Sequence, residues 1–329
     1  MTGFLRLSLS ILVLISHLGI RFFGLNEGVI AVVIFYILAG HVVTFLFIEN
    51  FNFNIKKFYQ DRFLRIFPVF WLVAIIYIIF LLVTKYGNPI FNFENLLLNL
   101  SLIPLNYYMY LYTKIIILTN TNPPWYLIPP AWSLGAEFQF YLLVPFLLRY
   151  PKITGIIFIF SLVIYSFANL DIINSDYFGY RLLPGVIFIF LIGVYLQKLL
   201  YKRILFFERI LLIFAYIYSV LWFIIIVLYF NVYGVYTRET LLGIILGVPL
   251  VFFALRFKIF PFKKFLGDLS YVVYLMHFLI IWFLDYMNWN MKNIFLKALV
   301  TIILTIVVSS LIVKIIEKTI EQYRLKIKN

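Results

Sequence analysis

The stretch FLRLSLSILVLISHLGIRFFG, residues 4–24, decides how the chain is read. It is long and apolar enough to cross a bilayer, which takes about 20 residues. Yet it carries Arg6 near one end and His17 well inside, and titratable groups at such depth are costly and tend to be functional. At about 100° and 1.5 Å per residue, the two side chains fall within about 20° of each other on one helix face, about 16 Å apart. The plain reading of Arg6 is a basic anchor whose stem snorkels to the interface. The plain reading of His17 is a hydrogen bond to a neighbouring helix. Sharing a face, they point together to a common cavity. A histidine there can serve as a general base or carry an acyl group itself.

The remainder of the chain agrees with that first span. Of its 329 residues, 65% are hydrophobic and 12% charged, and the mean hydropathy is +1.05. A soluble domain is nearer half apolar and about a quarter charged. The expected fold is therefore all-α, a polytopic membrane protein in a single domain over 1–329. The net charge of +14 does not signal nucleic acid, because the basic residues sit in short clusters between apolar runs. There is no cysteine, so disulfides, thiolate nucleophiles and cysteine-bound metals are excluded, and no metal is expected. No small-residue cleavage site follows the first run, which reads as a retained span rather than a signal peptide.

Ten segments are long enough to span: 4–24, 29–48, 66–84, 134–150, 153–170, 181–198, 210–230, 240–256, 266–284 and 294–316. With the N-terminus inside, 20 of the 27 basic residues fall on one side, Lys258 and Arg324 among them. Lysine and arginine gather on the cytoplasmic side, so both termini are expected there, in the cell membrane. Residues 96–118, LLLNLSLIPLNYYMYLYTKIIIL, are apolar enough for a further crossing, but one more crossing would reverse that charge bias. They read as a re-entrant or interfacial element broken near Pro104. The region 85–133 is then one long outer excursion, with TNPPWYLIPPAW as its proline-rich end.

Two further constellations carry chemistry. In KKFYQDRFLRIFPVFW, 56–71, Arg62 and Arg65 stand three apart and project from one side of a helical turn, beside Lys56 and Lys57. Arginine forks suit phosphates, although any inner loop of a membrane protein gathers basic residues. In PAWSLGAEFQFYLLVP, 130–145, Glu137 lies inside an apolar span. A carboxylate there either orients a histidine, as in hydrolase triads, or is held protonated by hydrogen bonds in the bundle. Arg181 has Asp171 and Asp176 close by in the chain as plain partners. His41 reads as packing or channel-lining, and His277 as hydrogen-bonded to a neighbouring helix.

Taken in order, these residues resemble the integral-membrane acyltransferase family 3, whose members acylate surface glycans. The family's arginine and histidine separated by ten residues match Arg6 and His17. Its R-x-x-R before the third span matches Arg62 and Arg65, followed by IFPVFW. FYILAG at 35–40 is similar to its F-F-x-x-S-G. Its W-S-L-x-x-E-x-Q-F-Y matches Trp132, Ser133, Leu134, Glu137, Gln139, Phe140 and Tyr141. Its late L-G-x-x-S-Y-x-x-Y-L-x-H matches LGDLSYVVYLMH, 266–277. Val33 departs from an acidic residue frequent in the family, and Ala39 from its serine.

The resemblance implies a cytoplasmic acyl-CoA donor, acetyl-CoA in the first instance. It implies as acceptor a hydroxyl of a cell-envelope glycan or lipid-linked sugar. Lys56, Lys57, Arg62 and Arg65 would hold the coenzyme A phosphates, and Arg6 the pyrophosphate or the channel wall. His17 would be base or acyl relay, tuned by Glu137. A multi-pass transporter or flippase of lipid-linked sugars is the alternative, but no half-chain repeat supports it. A membrane glycosyltransferase lacks its acidic pair, since Glu27 stands alone on the first outer loop.

Overall fold

Helices fill almost every apolar run in the computed structural model, which describes residues 2–116, 124–229, 233–256, 262–289 and 291–328. In chain order they are α1 (Thr2–His17), α2 (Glu27–Phe45), α3 (Ile55–Thr84), α4 (Phe93–Leu100), α5 (Ile103–Asn106), α6 (Ala131–Arg149), α7 (Pro151–Asn169), α8 (Leu183–Leu200), α9 (Phe206–Tyr229), α10 (Thr237–Arg256), α11 (Lys263–Tyr286) and α12 (Ile294–Lys328). Single π-helical turns, Leu46–Asn50 and Tyr177–Arg181, extend α2 and precede α8. Among the described residues, nine helices are long and apolar enough to cross a membrane. The protein is therefore multi-pass. Lys258, residue 230, the last residues of 96–118 and the beginning of the proline-rich stretch at 121–123 lie outside the described residues.

The expected first span is shorter than 4–24. α1 has 16 residues, about 24 Å of helix, against roughly 30 Å of hydrocarbon. Gly19, at φ +84°, turns the chain out of the helix. The Arg21 guanidinium donates to the Ser16 carbonyl at 2.6 Å and to the Ile20 carbonyl at 2.9 Å, covering the exposed helix end. His17 thus sits on the last turn of α1 rather than deep within a span. α3, by contrast, begins at Ile55 instead of 66, where the Asn54 side chain accepts from the Lys57 amide at 3.0 Å.

The described part of the segment, 96–116, forms no helix long enough to cross. α4 and α5 break at Leu102, whose φ is +69°. Buried asparagines then fold the excursion onto the bundle. Asn99 donates to the Thr113 carbonyl at 2.8 Å and accepts from the Leu127 amide at 2.8 Å. Asn106 donates to the Arg181 carbonyl at 2.9 Å and accepts from Gln139 at 3.1 Å. These bonds meet the backbone's needs without a long helix.

α2, α8 and α11 are the most enclosed spans, and α9 and α12 the most open to lipid. α1 lies between α2 and α11, while α2 also packs on α8 and α10. Arg324 of α12 reaches Asp61 of α3, and Gly3 faces Gly267 of α11, so both ends of the chain lie at one end of the bundle. α2 and α8 meet backbone to backbone. A Cβ at Gly40 would stand 1.9 Å from the Phe190 carbonyl oxygen, and one at Gly193 2.0 Å from that of Ile37. Small residues allow this approach, which is how helices associate where lipid removes the hydrophobic drive.

Gly193→Leu should therefore force the two helices apart. We expect a loss of about 3 kcal/mol or more, measured as thermal denaturation in detergent. Gly247→Ala, whose Cβ would meet the movable tip of Ile37 at 2.8 Å, should cost far less.

Candidate active site

Three adjoining cavities run along α1. The central one, of about 790 Å³, is lined by Arg6, Arg62, Arg65, Glu137, Tyr141 and Tyr271 among others. A vestibule at the Thr2 end shares Arg6, Val42 and Gly267 with it, and adds His41, Tyr201, Lys202, Arg256 and Lys264. A third cavity, of about 400 Å³, lies toward the excursion and is lined by His17, Ser16, Asn26, Trp132, Tyr180 and Arg181. Val32 and Tyr274 line both the central and the third cavity and so form the partition between them. Arg6 and His17 therefore face one line of cavities, with the partition between.

The arginines of the central cavity differ in what they can still bind. Arg62 pairs with Asp61, which is fully buried and also accepts from Arg324 at 2.9 Å. Arg65 pairs with Asp268 and donates to the Gly267 carbonyl at 3.2 Å. Their guanidinium carbons lie 5.7 Å and 5.8 Å from the ring centres of Tyr141 and Tyr271, a favourable cation–π range. The Arg6 side chain makes no hydrogen bond or ion pair among the described residues and lines both vestibule and central cavity. Lys56 and Lys57 stand on the first turn of α3 and are not among the lining residues of these cavities.

Glu137 accepts a hydrogen bond from the Tyr141 hydroxyl, one turn along α6. It shares the central cavity with the arginines, whereas His17 lines the third. The partner of His17 is on α11: its Nδ1 lies 3.0 Å from Nε2 of His277, whose own Nδ1 is 3.3 Å from the Val273 carbonyl. His277 is fully buried and His17 is exposed. Phe278 covers both rings, at 4.7 Å and 5.2 Å between ring centres.

Arg181 closes the far wall. It donates to Asp176 at 2.8 Å, while Asp171 takes no part among the described residues. Its guanidinium lies 4.5 Å from Trp132, 5.2 Å from Tyr180 and 5.6 Å from Tyr108. Burial pushes the Tyr108 hydroxyl up to about 12, against the opposing pull of Arg181. That ring is accordingly neutral and holds the cation by its face. At the partition, the Ser133 and Tyr274 hydroxyls share a hydrogen bond of 2.7 Å, and Tyr274 donates to the Pro130 carbonyl at 3.2 Å.

Sequence reasoning passed over Asp61, Asp268, Tyr271, Tyr274, Lys202, Arg256 and Lys264 as site residues, and left His277 without a mechanism. One signal was legible. A polar or aromatic residue recurs at every third place from Asp268 to His277 on an otherwise apolar helix, and each member touches the site or its arginines.

Comparison with known proteins bears on this arrangement. A family model described as an acyltransferase domain matches residues 4–314. A relative from Aquifex aeolicus (strain VF5), itself described as an uncharacterized protein, is 47% identical over 220 residues. That is 67% of this chain and 99% of the relative. No solved structure matches.

The Asp61 cluster can be tested for its part in holding the arginines. Asp61→Ala would strand two guanidinium groups in a buried place, and we expect a loss of about 3–5 kcal/mol in thermal unfolding. Arg324→Ala leaves the Asp61–Arg62 pair intact and should lose much less.

Proposed function

Because the chain belongs to acyltransferase family 3, we propose that this membrane acyltransferase moves an acyl group, acetyl in the first instance, from acyl-CoA to a hydroxyl of a glycan or lipid-linked sugar. The donor enters from the end of the bundle holding Thr2 and Lys202, which we take as cytoplasmic from the excess of basic residues on that side. The acceptor comes to the opposite end. The observation that carries this reading is the line of three cavities joining Arg6 to His17. Their separation of about 16 Å along α1 is of the order of an extended pantetheine arm.

In this reading the vestibule receives the nucleotide. Lys202, Arg256 and Lys264 face its phosphates, and Tyr201 and Phe252 offer rings to the adenine, while Lys56 and Lys57, outside the cavity lining, add only to the positive potential of that side of the membrane. Arg6, with no protein partner, takes the pyrophosphate. Arg62 and Arg65, held by Asp61 and Asp268, keep the central cavity positive. Glu137 accepts the amide N–H groups of the arm and balances the arginines. This role differs from the direct tuning of His17 expected from the sequence, because the two residues line different cavities.

His17 then acts as a general base. Room for an acceptor beside His17, with the arm reaching from the central cavity past Val32 and Tyr274 to bring the thioester to it, supports direct transfer within one complex. The His17 imidazole takes the proton of the acceptor hydroxyl as its oxygen bonds to the acyl carbon. The carbon–sulfur bond then breaks, and the proton passes from His17 to the departing coenzyme A thiolate. The carbonyl end of α1 stabilises the imidazolium formed on the way. Aromatic rings and Arg181 around the third cavity suit the faces and hydroxyls of a sugar.

Label transfer from radioactive acetyl-CoA, in membranes supplied with host glycan and lipid extract, tests this directly. His17→Ala should lower the rate by about 10²-fold or more, and full activity in that variant would sink the assignment. Lys202→Ala combined with Lys264→Ala should weaken coenzyme A binding about tenfold, which is about 1.4 kcal/mol in titration calorimetry.

A further inference from the structure

His17 and His277 come from helices 260 residues apart in the chain and meet through ring nitrogens 3.0 Å apart. Their ring centres are 5.1 Å apart and their planes differ by 19°. The rings therefore meet nearly edge to edge, as one nitrogen donating to another requires. Two neutral imidazoles can bond this way in either of two senses, and the rest of the network selects one. Nδ1 of His277 faces the Val273 carbonyl at 3.3 Å, and a carbonyl can only accept. His277 must therefore carry its proton on Nδ1, which leaves Nε2 as an acceptor. The proton in the contact then belongs to Nδ1 of His17, for which the Val13 carbonyl one turn back is a second acceptor, and the lone pair lies on Nε2.

We infer that His277 is a positioning residue that fixes His17 in the Nδ1–H tautomer, so that the basic nitrogen faces the third cavity. This rests on the reading of His17 as the general base. The arrangement gives a histidine the place that a carboxylate holds in hydrolase triads. His17 lines the third cavity and His277 lines none of the three, so the nitrogen not engaged with His277 is the one left for the acceptor hydroxyl. Phe278 packs on both rings and Tyr274 stands 6.1 Å edge-on to His277. These rings hold the two imidazoles against each other. When His17 takes a proton on Nε2, its Nδ1–H stays bonded to neutral His277, which shares the charge.

The chain has three histidines, so nitrogen NMR of the full-length protein in lipid nanodiscs, labelled with ¹⁵N-histidine, can resolve each ring. At about pH 8, above the ordinary imidazole range, His17 should appear as the Nδ1–H form. His277→Leu should return it to the Nε2–H form favoured by free histidine and lower kcat about a hundredfold or more, with KM for acyl-CoA unchanged. His277→Gln, whose amide oxygen can accept at the place of Nε2, should restore both the tautomer and much of kcat. A wild-type His17 protonated on Nε2 overturns the inference, and so does a His277→Leu protein with unchanged tautomer and kcat. The wild-type spectrum decides even if the leucine variant does not fold. Because the tautomer is read without substrate, a failure to find acyl transfer would remove the proposed function and leave the pairing standing.

Discussion

A guanidinium in hydrocarbon must be either paired or kept beside open space, since burial of an uncompensated charge costs several kcal/mol. The bundle follows this constraint closely. Arg62 and Arg324 close on Asp61, Arg65 closes on Asp268, and Arg181 closes on Asp176 inside a ring of aromatic faces. Two of these pairs tie together distant parts of the chain, Arg324–Asp61 joining α12 to α3 and Arg65–Asp268 joining α3 to α11, while Arg181 reaches the excursion through the face of Tyr108. The Arg6 guanidinium closes on no carboxylate among the described residues, and the cavities open where it stands. A charge left in that state is available to an anionic ligand.

Much of the architecture was legible, because hydropathy needs no tertiary knowledge. The runs at 134–150, 153–170, 181–198, 240–256 and 266–284 each became a helix whose ends differ by a few residues. The expected ends of 4–24 and 66–84 moved further, for opposite reasons. Gly19 and the cap from Arg21 cut α1 short although the sequence stays apolar. The charges at 56–65 lie outside the expected span, yet α3 runs through them because Asp61 and Asp268 meet Arg62 and Arg65.

The site was legible in its residue types and less so in its contacts. Co-facial Arg6 and His17 followed from helix geometry, and both do face the line of cavities. The joining of His17 to His277 could not follow from any local pattern, since it depends on how α1 and α11 pack. For the same reason Glu137, near His17 in expectation, stands instead with the arginines across the partition formed by Val32 and Tyr274. The basic residues of the vestibule come from the ends of α8, α10 and α11. Periodicity marks such ends only as boundaries.

The shortness of α1 has an electrical meaning. With cavities reaching inward from both ends, the thickness of low-dielectric material between them narrows to the layer around Val32 and Tyr274. A transmembrane voltage falls mainly across whatever insulating layer remains, so the field is concentrated there. Moving one elementary charge through 100 mV involves about 2.3 kcal/mol. On the proposed reading the phosphates of the donor stay outside that layer, and the acyl group crosses it in exchange for the acceptor's proton, so no net charge moves. The voltage then does no work on the transfer, and the reaction's driving force is that of thioester cleavage alone.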